Sequence, residues 1–154
     1  MANKVTYSPA GTGDRLFTVD STATVKIYAT DTDGAYELFE LESPEGAHVP
    51  PHRHPWAEAY YVLDGTLDVQ IGGRQYRLGP GDSVTIPPSA VHNTATVGGA
   101  CRFLAFSLTA GTGALFTDID RAIPRDRPIE EIAPLLVTVA ERNGVTFANT
   151  AARV

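Results

Sequence analysis

From Gly34 to Gly111 apolar and polar positions alternate in short bursts, and glycine, proline and aspartate separate one burst from the next. The runs fall at Ala35–Leu41, Ala59–Leu63, Thr66–Ile71, Gln75–Leu78, Ser83–Ile86 and Arg102–Leu108. A period of two buries one face of a strand and wets the other. It is clearest where Leu67, Val69 and Ile71 interleave with Asp68 and Gln70. Asp64-Gly65 and Gly72-Gly73 suit two-residue hairpin turns, in which the chain must adopt positive φ. Gly79-Pro80-Gly81-Asp82 reads as a further turn, and with no helix signal after it a phosphate cradle is not expected. Strands this short and this closely spaced predict an all-β sandwich or barrel.

The two ends read differently. Ser8–Asp14 is a glycine-rich turn, and Thr22–Ala29 alternates as a strand with Val25 and Ile27 on one face. Beyond Gly113 the period lengthens: Ile132, Leu135, Leu136 and Val139 recur at i, i+3, i+4 and i+7, and Gly144 follows as a helix-ending residue. Pro134 interrupts that stripe, which leaves one helix or two short ones with Pro134 in the first turn of the second. Packing on the barrel wall explains the stripe, and a lid over the barrel mouth is the alternative. The expected organisation is flanking strands over 1–33, a barrel over 34–111 and a helical tail over 112–154, all in one domain.

Charge narrows the partners. Twelve Lys and Arg stand against 18 Asp and Glu, a net charge of −6 that argues against a nucleic-acid surface. Arg121, Arg125 and Arg127 lie close together, but Asp120 and Asp126 alternate with them among turn residues, so a solvated linker is expected. No basic start followed by an apolar run marks a secretion signal, and no stretch approaches a membrane span. A cytoplasmic protein without membrane contact is the expectation. The one cysteine, Cys101, sits in the apolar run CRFLAFSL and reads as a buried packing residue.

Candidate chemistry concentrates in GAHVPPHRHPWAEAYYVLDG, residues 46–65. If this stretch is extended, His52 and His54 leave the same face with Cα atoms about 6.5 to 7 Å apart. Glu58 is a further ~13 Å along a straight strand, so it can join them only if the chain bends, and Pro55 gives a reason to bend. His92 is the only histidine left outside the stretch. Four such groups inside a small barrel cost several kcal/mol when unpaired, and a shared metal ion answers all four together. His48 shares the face of His52 and His54, as a hydrogen-bonding neighbour or an exposed residue. Trp56 lies in the turn, as rim packing or a stacking surface, and Tyr60 follows Glu58 by two and should aim into the same interior. Arg53 should point outward.

At these positions the chain resembles the cupin superfamily. The first cupin motif, G-x5-H-x-H-x3-E-x6-G, is matched throughout by Gly46, His52, His54, Glu58 and Gly65. The second, G-x5-P-x-G-x2-H-x3-N, is matched by Gly81, Pro87 and His92, with Ser89 where the family usually has glycine and Thr96 where it usually has asparagine. The resemblance covers about Gly34 to Gly111. It implies a double-stranded β-helix, or jelly-roll barrel, with an ion inside its mouth held by His52, His54, Glu58 and His92. One divalent transition metal per chain is implied: iron, manganese, nickel, cobalt or copper, with zinc also compatible. N-terminal strands of this kind imply a homodimer.

The H-R-H-P-W-x-E arrangement looks like relatives of quercetin dioxygenases. That resemblance implies a small-molecule oxidoreductase, a dioxygenase acting on an oxygenated aromatic or enolic substrate, with Glu58 accepting the substrate's proton. A metal-dependent isomerase, cyclase or lyase would use the same groups without oxygen, and a binding module would use them without chemistry. Phosphosugars are disfavoured, because residues 34–111 hold no lysine and only Arg53, Arg74, Arg77 and Arg102. A DNA-binding regulator is not expected, since no helical segment of that kind precedes residue 34. Germin-like oxalate oxidases and two-barrel oxalate decarboxylases are not expected either, given one cysteine and one barrel.

Overall fold

Alternating burial turns the short runs into two antiparallel sheets, in a structure that is a computed structural model and describes residues 4–148. Residues 1–3 and 149–154, the outer ends of the expected flank and tail, lie outside the described residues. In chain order the elements are β1 (Arg15–Phe17), β2 (Thr22–Ile27), a 3-10 turn (Ala29–Asp31), β3 (Tyr36–Ser43), β4 (His48–Arg53) and β5 (Glu58–Asp64). There follow β6 (Leu67–Ile71), β7 (Arg74–Leu78), β8 (Ser83–Ile86), β9 (His92–Thr96) and β10 (Cys101–Leu108), then α1 (Gly111–Ala122), α2 (Ile129–Arg142) and β11 (Thr146–Phe147). One sheet runs β1-β2-β3-β10-β5-β8 and the other β11-β4-β9-β6-β7. The fold is the expected jelly roll.

Between the sheets Phe39, Val62, Leu67, Val69 and Phe103 form the centre of the core. Each such side chain contributes about 1.5–3 kcal/mol on leaving water. Cys101 is buried at the start of β10, as its apolar run predicts. The Gly72-Gly73 turn joins β6 to β7 as a hairpin, with Ile71 opposite Arg74. The Asp64-Gly65 turn does not make a hairpin. It carries the chain from β5 in one sheet to β6 in the other, and Gly65 is needed because a Cβ there would meet the Ala100 carbonyl oxygen at 2.3 Å.

The C-terminal region departs further from expectation. Ile129–Arg142 is a single helix running through Pro134, whose position on the exposed side leaves the freed backbone carbonyl to water. Leu135 is exposed as well, so the buried stripe is Ile132, Val139 and Ala140 with Leu136 partly covered. Asp120 and Arg121, read as linker, close a second helix, α1. Two glycines in its first turn hide it from propensity. Both are there for close approach: a Cβ at Gly111 would lie 2.5 Å from the Trp56 ring and one at Gly113 2.1 Å from Glu37 Oε1. Ile119 and Ile123 of α1 and its end pack against Ile132 and Val139 of α2. Among the described residues no helix is long and apolar enough to cross a membrane.

Candidate metal centre

β4 and β9 lie side by side with His52 opposite His92, and the register shift between Val49 and His52 marks where β4, carrying Pro50 and Pro51, departs from a regular ladder. The chain then leaves β4, passes His54 and Pro55, and re-enters the other sheet at Glu58, the first residue of β5. That change of sheet supplies the bend the sequence demanded. His52, His54 and His92 offer ligand atoms that all lie within 4.8 Å of one another. Glu58 Oε2 is 3.0 Å from His54 Nε2 and 3.7 Å from His92 Nε2. His54, Glu58 and His92 are buried, His92 to 1% exposure, and His52 is half-buried.

Backbone carbonyls fix the three rings. His52 Nδ1 lies 2.8 Å from the Pro50 carbonyl, His54 Nδ1 2.9 Å from that of Trp56 and His92 Nδ1 2.9 Å from that of Ala90. A carbonyl oxygen can only accept, so each Nδ1 carries its proton and each neutral ring keeps a lone pair on Nε2. Glu58 Oε2 adds another acceptor, and acceptors this close repel unless a cation lies among them. Among the described residues His92 Nε2 is a fully buried side-chain polar atom with no hydrogen-bond partner. A divalent metal fits this donor set and removes both the repulsion and the orphaned nitrogen.

The electrostatics agree. Burial, and then the nearby His92 ring, push the His52 imidazole down to about 4, so it is neutral at physiological pH, as a ligand must be. Burial alone would raise the Glu58 carboxyl, but its close contacts with the His54 and His92 rings hold it well below the usual carboxylate range.

Glu58 is also held from its other side. Trp56 Nε1 donates to Thr112 Oγ1 at 2.9 Å, Thr112 donates to Ser107 Oγ at 2.8 Å, and Ser107 donates to Glu58 Oε1 at 3.1 Å. The Tyr60 hydroxyl donates to Glu58 Oε2 at 3.2 Å, and its own ionisation is pushed up by burial and by the carboxylate. Trp56 is buried and stacks on His54, with ring centroids 4.3 Å apart and planes 10° from parallel. Ser107 and Thr112 were not singled out from the sequence. Ser107 was legible in principle, because it shares the inward parity of Phe103 and Ala105 along β10. Thr112 was not, because its role depends on how α1 docks.

The donor cluster opens on a cavity of about 460 Å³ lined by Trp56, Tyr60 and His48 together with side chains of α1 and α2 such as Leu115, Phe116 and Leu136. The helices thus wall the cavity besides packing on the barrel. His48 stands apart from the donors, exposed, with Nδ1 3.4 Å from the Gly46 carbonyl. Arg53 is exposed, as alternation predicts. Among the described residues no lysine or arginine lines the cavity.

Two departures from the second motif have local answers. Ser89 adopts φ +65°, the left-handed conformation that glycine would take without strain, and its N–H donates to the His54 carbonyl at 2.8 Å. Thr96 donates through its hydroxyl to the Pro44 carbonyl at 3.1 Å.

Comparison with known proteins adds a family. Residues 39–107 match the family model described as the cupin domain. The chain is 32% identical over 85 residues to quercetin 2,3-dioxygenase of Bacillus subtilis, covering 54% of this chain and 25% of that protein. It is 37% identical over 70 residues to dimethylsulfoniopropionate lyase DddQ of Ruegeria pomeroyi, covering 45% of this chain and 33% of that protein. The chain therefore spans between a quarter and a third of these relatives' lengths. Among solved structures, the polyketide cyclase RemF from Streptomyces resistomycificus superposes with a TM-score of 0.61 at 26% identity, over 68% of this chain and 80% of that one. The motif positions, the jelly roll and the matched family model agree that residues 39–107 form a cupin domain.

Proposed function

We propose that this protein is a metal-dependent enzyme acting on a neutral, largely apolar oxygenated substrate, an aromatic or an enol, with dioxygenase chemistry of the quercetinase kind. His52, His54, His92 and Glu58 are the proposed ligands of one divalent transition metal. The observation that carries the reading is the set of three lone-pair-bearing Nε2 atoms and one carboxylate oxygen at a largely apolar cavity that, among the described residues, no lysine or arginine lines. Anionic substrates such as phosphosugars and small dicarboxylates would find no lysine or arginine in the described lining to replace their hydration. A bound metal would supply Lewis acidity toward a substrate oxygen and, where redox-active, access to dioxygen.

The chain's own residues then divide the remaining work. Glu58 accepts the proton of an enolic or phenolic hydroxyl, and the hydroxyls of Tyr60 and Ser107 hold its carboxylate in place for that transfer. Trp56 orients His54 by stacking and anchors the relay through Thr112. The apolar faces of α1 and α2 keep bulk water from the reacting end.

One observation favours a second reading, a cyclase that uses the same metal and base without oxygen: the likeness to RemF covers more of that protein than the likeness to quercetin 2,3-dioxygenase covers of its counterpart. Oxygen consumption separates the two. Protein reconstituted with iron, manganese, nickel, cobalt or copper is supplied with flavonols, catechols and enolic diketones beside a metal-free control. Metal-dependent uptake is expected, and turnover of an enolic substrate without uptake would move the assignment to cyclase.

A further inference from the structure

The cavity has a second polar end that the metal chemistry leaves unused. Asp20, Ser21, Ser43 and His48 line the same cavity, and none of them belongs to the donor cluster. Asp20 sits in a tight turn in which the Thr18 hydroxyl and N–H both donate to the Ser21 carbonyl. Ser21 Oγ lies 3.1 Å from Asp20 Oδ2 and 2.6 Å from Ser43 Oγ. A carboxylate only accepts, so Ser21 must give its single proton to Asp20 and Ser43 must donate to Ser21. The relay orients the carboxylate through Oδ2.

The turn is built under strain. Val19 has φ +77°, a conformation that a β-branched residue rarely adopts, and its side chain is held among the apolar residues of α1 and α2. Packing at Val19 thereby forces the next residue, a carboxylate, against the cavity. Burial raises that carboxyl to about 6, a cost the fold carries without using it for any structural ion pair among the described residues. His48 and Glu45 are the other titratable groups lining this end.

Along β4 His48 precedes His52 by four residues, roughly 13 Å in extended chain, with the apolar side chains of Leu41, Phe103 and Phe116 lining the cavity. We propose that the Asp20 end is a second recognition site, which accepts a hydrogen bond from a hydroxyl at the far end of an elongated neutral substrate whose reacting end faces His52, His54 and His92. This rests on the proposed function for the reacting end and names the substrate class: a multi-ring or extended oxygenated molecule with a hydroxyl at each end.

Binding, read independently of turnover, tests it. Trp56 is the chain's one tryptophan and lines the cavity, so quenching of its fluorescence reports occupancy. Zinc-loaded full-length protein is titrated with 3-hydroxyflavone and with 3,4′-dihydroxyflavone, which adds only the far hydroxyl. Wild type should bind the dihydroxy probe about tenfold or more tightly, as a hydrogen bond to a charged group allows. Asp20→Leu should abolish the preference and leave 3-hydroxyflavone binding within about threefold. Should that variant not fold, Asp20→Asn, which keeps size and polarity, should cut the preference to about threefold or less. Equal affinities in wild type, a preference that survives both substitutions, or no quenching by either probe would each overturn the proposal. Oxygen uptake is scored separately: an intact preference without uptake removes the dioxygenase reading and leaves this site standing, whereas uptake without a preference does the reverse.

Discussion

The two ends of the cavity are built by opposite means. At one end three imidazoles and a carboxylate are fixed by backbone carbonyls and a hydroxyl relay, in a buried pocket at the junction of the sheets. At the other the Asp20 carboxylate follows a strained residue in a tight turn, beside an exposed histidine. Both ends contain a non-glycine residue at positive φ, Ser89 near the donors and Val19 beside Asp20. At the donor end the strained residue bonds the backbone of a proposed ligand; at the other it aims the only carboxylate of its turn. Local strain serves position in each case, but only the donor end is over-determined by hydrogen bonds. Substitutions at the two ends should therefore fail differently.

The largest contrast is in metal content. His92→Ala, and the double change His52→Ala with His54→Ala, should bring bound metal from about one ion per chain to under a tenth, while Asp20→Leu leaves it at the wild-type level. Elemental analysis after gel filtration decides it, and metal retained by the double variant would refute the centre. Glu58→Gln removes the proposed base and keeps the shape. It should retain weakened metal binding and lose about 100-fold or more in turnover.

Thr112→Val breaks the link between helix and base. The buried Trp56 N–H then has no acceptor, which costs about 1–3 kcal/mol in urea unfolding, while metal content stays unchanged. A variant as stable as wild type would mean that the relay does not hold α1.

Asp20→Asn should act in the other direction. The wild-type carboxyl rises from 3.8 to about 6 on folding, so the folded state holds its proton more tightly than the unfolded one. The contribution of Asp20 to wild-type stability is then greatest below about pH 4, falls as pH rises to about 6, and is level above that. The asparagine variant escapes this loss and should gain about 1–2 kcal/mol at pH 7, after allowance for partial exposure. Urea unfolding of both proteins between pH 4 and 7 measures the difference, and equal slopes would show that Asp20 is not desolvated. The smallest effect expected is at Ser89→Gly, where relief of the left-handed strain should add up to about 1 kcal/mol, partly offset by the greater freedom of glycine in the unfolded chain.

The donor end was legible in the sequence because its residues are local. His52, His54 and Glu58 fall within seven residues, and their parity and Pro55 are enough to infer a bend and a shared ion. Tyr60 was legible by the same parity, and the structure gives it a hydroxyl on Glu58. The Asp20 end was not legible, since it joins the turn before β2, the end of β3 and the start of β4, segments whose meeting no local pattern announces. The Asp64-Gly65 turn misled for a related reason. Positive φ is demanded both by a hairpin and by a crossover between sheets, and only the pairing of β5 and β6 with other strands tells them apart.

By itself the sequence determined the alternation that makes strands, the turns that separate them and the local group of His52, His54 and Glu58, because each depends on residues a few positions apart; His92, far along the chain, was assigned through the resemblance to the second cupin motif. The tertiary structure alone decided that α1 exists, that Thr112 joins the relay to Glu58, and that a strained Val19 precedes an Asp20 that lines the same cavity. Those are consequences of surfaces brought together from distant parts of the chain, where close approach, as at Gly111 and Gly113, overrides the local preference of the chain.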